Sequence, residues 1–132
     1  MISNDLGQPL HDDAGAMVRL PRMRGGNTLF ASLAGYESDR KGSPSILSWD
    51  GVRGNWKPGA SLGSLLGSAG PLALGDMDGS GKLALFAGSR FMPGRFPEAG
   101  RSALFLEANG HWAADPESSP VFAGAGMVSA AT

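Results

Sequence analysis

The residues best suited to chemistry lie in one short acidic and Gly-rich segment, residues 75–82, which reads GDMDGSGK. Asp76, Asp78 and Ser80 place oxygen side chains at alternate positions, and the glycines between them favour a tight turn. Ca²⁺ prefers oxygen ligands, and a short loop of this kind can wrap around it. The apolar stretches 71–74 and 83–88 on either side read as strands, whereas an EF-hand needs flanking helices. The segment is therefore either a cation loop or a turn that its own Asp side chains cap.

The composition predicts many short strands. Gly accounts for 21 of 132 residues, and no segment has a sustained helical period. The formal net charge of −1 gives no footprint for nucleic acid or an anionic membrane, and we expect the cluster Arg19, Arg22 and Arg24 to be solvated or to pair between subunits. The chain has no Cys, hence no disulfide or thiol chemistry. No apolar run approaches the roughly 20 residues of a membrane helix, and no export signal follows Met1, so we expect a soluble protein of unassigned compartment.

An internal repeat organises the chain. Residues 29–31 (LFA) recur as 85–87, and the Gly and Trp of 54–56 (GNW) recur in 110–112 (GHW), both at a spacing of 56 residues. The pattern predicts two four-stranded units, and segment 127–131 reads as the first strand of a third. The predicted strands are 16–20, 28–33, 45–49 and 55–57 in the first unit and 71–75, 83–88, 102–107 and 111–114 in the second.

The acidic loop and the strand that follows it resemble the FG-GAP (VCBS-type) repeat of β-propellers. The resemblance implies an all-β fold of two four-stranded antiparallel blades: a polar leader 1–13, blades 14–69 and 70–125, and an incomplete third blade 126–132. It also implies that Asp76, Asp78, Ser80 and the Lys82 carbonyl are Ca²⁺ ligands. Ala84 stands where the repeat usually has a carboxylate. We therefore expect a weak or vestigial site, with a purely capped turn as the alternative.

Two blades cannot close a propeller ring, which typically holds about 4–8 blades. Each blade buries its apolar faces only against its neighbours, so two blades alone would expose two apolar faces. We therefore expect a homo-oligomer, a trimer first and a tetramer second, closed by head-to-tail contacts. The alternative is that the two units fold on each other as a small β-sandwich.

Four aromatic or basic residues are candidates for ligand contact. Trp49 precedes Asp50-Gly51, a dipeptide typical of tight turns, and is expected to be exposed. Phe91, Arg95 and Phe96 lie in a Pro-containing insertion that either presents binding anchors or folds over the end of the unit. The repeated residues Trp56 and Trp112 are expected to fill the core between units rather than to stack on sugars.

The sequence offers no residues for catalysis. Its two histidines, His11 and His111, accompany no nucleophile elbow, phosphate loop or zinc spacing. We expect a non-enzymatic, self-assembling binding or scaffold module with a protein or carbohydrate ligand. The alternatives are a propeller fragment of a polysaccharide-active enzyme and a truncated remnant without independent function. The resemblance suggests a secreted or surface location.

Overall fold

Eight strands and one short helix form the part of the chain that the structure, a computed structural model, describes. The described residues are 13–34, 45–59, 62, 68–92, 95, 97–108, 111–117, 119–123, 126 and 128. They form two four-stranded antiparallel sheets, each with its strands in sequence order. The prediction of an all-β fold with two four-stranded units is thereby confirmed. Each predicted strand overlaps a strand of the structure.

Sheet 1 contains four strands, and a 3-10 turn, Met23–Gly25, joins the first two. The predicted turn at Asp50-Gly51 is wrong, because both residues lie inside the third strand. The chain reverses instead at Arg53-Gly54, where both residues have positive φ (53° and 85°). Two successive left-handed residues match the twist of a two-residue hairpin. The strands are β1 (Asp13–Pro21), β2 (Gly26–Ala34), β3 (Ile46–Val52) and β4 (Asn55–Pro58).

Sheet 2 repeats this arrangement. Its strands are β5 (Ala69–Asp76), β6 (Leu83–Ser89), β7 (Ala103–Ala108) and β8 (His111–Ala114), and the helix α1 (Ser119–Ala123) follows them. The first ladder of each sheet has an irregularity at the same place: between Ala14 and Met17 in sheet 1, and between Ala69 and Leu72 in sheet 2. Bulges of this kind bend a strand and increase its twist. The shared bulge shows that the repeat extends from the sequence to the strand geometry.

The two sheets pack face to face over the main apolar core. From sheet 1, Leu20, Phe30 and Ile46 enter this core, and Leu85 and Phe105 enter it from sheet 2. Phe30 and Leu85 are both fully buried. Val18 and Trp112, both partly buried, pack at its margin.

Repeat-related faces do not pack against each other. Phe30 lies on the face of sheet 1 that contacts sheet 2, but its counterpart Phe86 lies on the opposite, outer face of sheet 2. Conversely, Trp112 lies between the sheets, whereas its counterpart Trp56 lies on the outer face of sheet 1 with Trp49. The sheets are therefore stacked in the same sense, head to tail. A sandwich with two-fold symmetry would instead bury equivalent faces against each other.

One buried serine links the two sheets at their first strands. The Ala16 N–H donates to Ser32 Oγ over 2.8 Å, and the Ser32 hydroxyl donates to the Gly70 carbonyl of sheet 2 over 2.7 Å. Ser32 is fully buried. Its counterpart in sheet 2 is Gly88, where Val128 packs so closely that an added Cβ would lie 2.9 Å from Val128 Cγ1.

Several predicted boundaries fall outside the described residues. Of the leader 1–13 only Asp13 is described, as the first residue of β1. Of the third unit 126–132 only Gly126 and Val128 are described, and the Val128 N–H donates to the Ser89 carbonyl over 2.9 Å. The unit boundaries at 14–69 and 70–125 remain predictions.

Candidate functional site

An apolar notch of about 280 Å³ opens on the outer face of sheet 2. Strands β5, β6 and β7 form its floor, and α1 forms one wall. All of its lining side chains are apolar, so the notch suits an apolar or aromatic group. It is lined by Ala73, Leu74, Gly75, Met77, Ala84, Phe86, Leu104 and Phe122.

The notch corresponds, by the internal repeat, to the surface of sheet 1 on which sheet 2 packs. Ladder positions in β2 and β6 are related by 56 residues, so Phe86 corresponds to Phe30. Positions in β1 and β5 are related by 55 residues, so Ala73 corresponds to Val18 and Gly75 to Leu20. Val18, Leu20 and Phe30 all pack in the core between the sheets. The outer face of sheet 2 therefore has the strand framework of a surface on which another sheet packs.

Phe122 of α1 occupies part of this surface. It meets Phe86 edge to face, with ring centroids 5.2 Å apart and an interplanar angle of 62°. Within the core, Trp112 meets Phe30 with the same centroid distance of 5.2 Å and an angle of 78°. Phe122 thus makes on sheet 2 the contact that a Trp of the following sheet makes on sheet 1. Sequence reasoning missed Phe86 and Phe122, although the 29–31 and 85–87 recurrence already paired Phe86 with Phe30.

The outer face of sheet 1 is largely covered within the chain. Trp49 is fully buried with Leu47 and Leu33 in a second apolar cluster, so its prediction as an exposed contact is wrong. The error follows from the misplaced turn: Trp49 lies within β3 and pairs with Leu29 of β2. The central part of this outer face is therefore not the open apolar surface that two isolated blades would present.

Trp56 is the large half-buried side chain at the edge of that outer face. It packs against the second cluster and lies over Gly51, where a Cβ would approach Trp56 Cε3 to 2.6 Å. It also lines an open groove of about 910 Å³ at the β3–β4 end of the sheet, together with Asp50 and Lys57. The prediction that the repeated Trp residues fill apolar clusters agrees with both positions, although Trp56 keeps part of its surface open.

A polar chain crosses between the sheets next to the notch's counterpart. The Arg22 guanidinium pairs with Glu107 of sheet 2 (Nη1 to Oε2 2.8 Å) and donates from Nε to Thr28 Oγ1 over 3.1 Å. The Thr28 hydroxyl donates in turn to Asp50 Oδ1 over 2.7 Å. Arg22 thus joins the two units of one chain. Thr28 and Asp50 pair in sheet 1, but their counterparts in sheet 2 are Ala84 and Leu106, so the outer face of sheet 2 is more apolar here.

The acidic loop is organised by its own backbone. Asp76 Oδ1 accepts from the N–H of Asp78 (3.3 Å) and of Gly79 (2.8 Å), and Asp76 Oδ2 accepts from the N–H of Gly81 (2.7 Å). Asp78 Oδ1 accepts from the Ser80 N–H over 3.0 Å. Both Asp residues therefore cap the turn, whose positive-φ positions are Gly79 and Gly81.

The electrostatics of the loop follow from these bonds. Hydrogen bonds from the Ser80 side chain and then from its backbone N–H hold the pKa of Asp78 below its ordinary value of 3.8. Lys82 is exposed, and its N–H donates to Ser80 Oγ over 3.3 Å. Within the described residues, no group of three or more His, Cys, Asp or Glu side chains could hold a metal ion.

The insertion 91–98 folds back on itself where it is described. Phe91 is half-buried and pairs with Ala99, and the Met92 N–H donates to the Glu98 carbonyl over 2.8 Å. Arg95 is exposed, with Nε 2.9 Å from Glu98 Oε2. Phe96 lies outside the described residues. The structure does not bring Phe91 or Arg95 together with the acidic loop or with Trp49 in one described pocket.

Comparisons of this chain with protein-family models, with curated proteins and with solved structures give no match. The described residues contain no helix that is both long enough and apolar enough to cross a membrane. The arguments that follow therefore rest on the contacts of this chain alone.

Proposed function

We propose that this chain is a non-enzymatic scaffold module that assembles with copies of itself through the outer faces of its two sheets. The observation that carries the proposal is the head-to-tail stacking of sheets 1 and 2. Stacking in one sense does not use up its own surfaces, because each added sheet presents the same face again. Two-fold packing, in contrast, is complete after one contact.

The notch around Phe86 supports the same proposal. It has the strand framework of the surface that receives sheet 2 on sheet 1, and it is more apolar there, since Ala84 and Leu106 replace Thr28 and Asp50. Leu106 and Met77 beside it are 42% and 63% exposed. Exposed apolar groups that surround an apolar pocket are typical of interaction surfaces.

Head-to-tail contacts generate a closed ring when the rotation between copies permits it. We propose three copies with six sheets, and four copies with eight sheets as the second arrangement. Such rings would be propellers built of FG-GAP-like blades, as the sequence resemblance implies. A protein or carbohydrate ligand is proposed for the groove at the β3–β4 end, where Trp56 combines with Asp50 and Lys57. Ca²⁺ at the Asp76 loop remains part of the proposal only as a weak site.

Molar mass in solution tests the proposal. Light scattering after size-exclusion chromatography is run over a wide range of concentration, once with Ca²⁺ and once with chelator. The expected mass exceeds the 13.5 kDa of one chain and rises with concentration towards three or four times that value. A mass of 13.5 kDa at every concentration would refute self-assembly. Dependence of the oligomer on Ca²⁺ would assign the Asp76 loop a role in assembly.

A further inference from the structure

We propose that Trp56 of a second copy docks on Phe86 and that Phe122 of α1 is an internal stand-in for it. This inference rests on the proposed function and names the contact through which the module assembles. It also predicts that α1 must leave Phe86 before a partner can bind.

The internal repeat specifies the pair. Phe30 and Trp112 meet across the interface between sheets 1 and 2, with ring centroids 5.2 Å apart. Adding one repeat to Phe30 gives Phe86, and subtracting one repeat from Trp112 gives Trp56. Both lie on outer faces and neither meets the other within the chain, so the equivalent contact can form only between copies. The occupant of the notch is therefore the β4 edge of a second copy.

The covered centre of the outer face of sheet 1 limits the size of this contact. Trp49 and Ala31 are at most 1% exposed there, whereas Trp56 is half-buried and Met17 is 40% exposed. The contact therefore begins at the β4 edge, with Trp56 as its anchor. Interfaces below about 1,200 Å² belong to weak and transient complexes. The assembly is accordingly expected to depend strongly on concentration.

The helix α1 is suited to exchange because it is short. It has five residues, and helices of fewer than roughly 12 residues are marginal without tertiary contacts. Phe122 packs on Phe86, whereas its neighbour Val121 is 75% exposed. A five-residue helix held by one aromatic side chain belongs to the part of a structure that opens locally at low free energy. Its opening frees the surface that a partner's Trp56 would occupy.

Three single variants test the exchange by sedimentation velocity over a range of concentration. Phe122→Ala removes the stand-in and should strengthen self-association roughly threefold to tenfold, the worth of one aromatic pair. Trp56→Ala removes the anchor and should weaken self-association by at least about thirtyfold, as expected for a Trp hot spot. Val121→Ala, an exposed neighbour on the same helix, should leave self-association unchanged.

The outcomes separate this inference from the proposed function. Self-association that Trp56→Ala leaves unchanged overturns the inference while the proposed function stands. A chain that stays monomeric in every variant, Phe122→Ala included, refutes the proposed function itself. Thermal unfolding of each variant at low concentration identifies any that fails to fold.

A crosslinking experiment keeps the test independent of those substitutions. The chain has no Cys, so Lys57→Cys beside Trp56 and Met77→Cys at the rim of the notch each introduce a single thiol. With a short bis-maleimide, head-to-tail docking predicts a dimer of twice 13.5 kDa from the mixture of the two variants and little from either alone. Met23→Cys, at a position 93% exposed, replaces Met77→Cys in the control mixture. Equal yields from all mixtures would overturn the proposed contact.

Discussion

Replacing Ser32 with Ala should destabilise the chain, because one buried hydroxyl links the first strands of both sheets. The change leaves the Ala16 N–H and the Gly70 carbonyl without the partners they have at 2.8 and 2.7 Å. A buried polar group that loses its hydrogen bond costs about 1–3 kcal/mol. Ala16 lies at a half-buried position, so we expect a total loss of roughly 2 kcal/mol in the free energy of unfolding.

The loss should be visible as a lower melting temperature. For a chain of 132 residues, the unfolding entropy of about 2.1 cal/mol/K per residue converts 2 kcal/mol into a decrease in Tm of roughly 7 °C. The assay is circular dichroism during heating at one fixed protein concentration, because self-association would make Tm concentration-dependent. Ser80→Ala in the exposed acidic loop is the matched control, expected to change stability by less than about 0.5 kcal/mol.

A Tm of Ser32→Ala within the error of the wild-type value would refute the reasoning. The hydrogen bonds of Ser32 would then contribute nothing to holding the sheets together, and apolar packing alone would have to do so. A lower Tm with an unchanged dependence on urea would instead agree with a loss of native contacts and no change in the surface exposed on unfolding.

Three further predictions concern the charged groups. Asp76→Ala should lower the free energy of unfolding by ~1 kcal/mol, as loss of a cap does, and equally in Ca²⁺ and in chelator; a loss confined to Ca²⁺ would assign Asp76 to the cation. Because the Asp78 pKa is lowered, its stabilisation is present above pH 3.8 and is lost as the pH falls below that value, so Asp78→Asn should flatten the stability curve there; an unchanged acid limb in thermal melts would contradict this. Arg22→Met should cost ~0.5–1 kcal/mol for the partly exposed pair with Glu107, less in high salt, and a double-mutant cycle with Glu107→Gln that gives no coupling energy would remove the pair from the account.

The strands could be predicted because their side chains alternate and because the chain writes the pattern twice. Residues 29–31 and 85–87 occupy matching ladder positions in β2 and β6, as the spacing of 56 residues predicts. The shared bulges at Ala14 and Ala69 could not be predicted, because small residues there fit regular strands equally well. Spacing in the sequence therefore predicted the two units but not the local twist of their first strands.

The prediction of Trp49 as an exposed contact failed because its exposure depended on a turn placed two residues early. Asp50-Gly51 and Arg53-Gly54 both offer a Gly for a tight turn, and sequence alone did not decide between them. The structure uses Asp50 as an acceptor for Thr28, which favours extended backbone at Asp50. A strand continued through Trp49 places that side chain in a buried cluster.

The candidate site was only partly predictable. Asp76 and Asp78 were identified from residue type, and their turn-capping bonds match the alternative weighed from the sequence. The notch depends on which faces of two sheets meet, and a repeat in sequence does not state whether its copies stack in one sense or by a two-fold axis. Phe122 lies in a five-residue helix, too short to give a helical period. Calcium binding, self-assembly and the ligand remain proposals.

Hydrogen exchange at low and high protein concentration tests the central claim most directly, because it locates a contact between copies without any substitution. Head-to-tail assembly predicts that two separate segments gain protection together as concentration rises: Asn55–Pro58 of β4 and Leu83–Ser89 of β6. The segment Ser119–Ala123 should lose protection over the same range as Phe122 leaves Phe86. Exchange that is independent of concentration, or protection gained on only one of the two outer faces, would contradict the account.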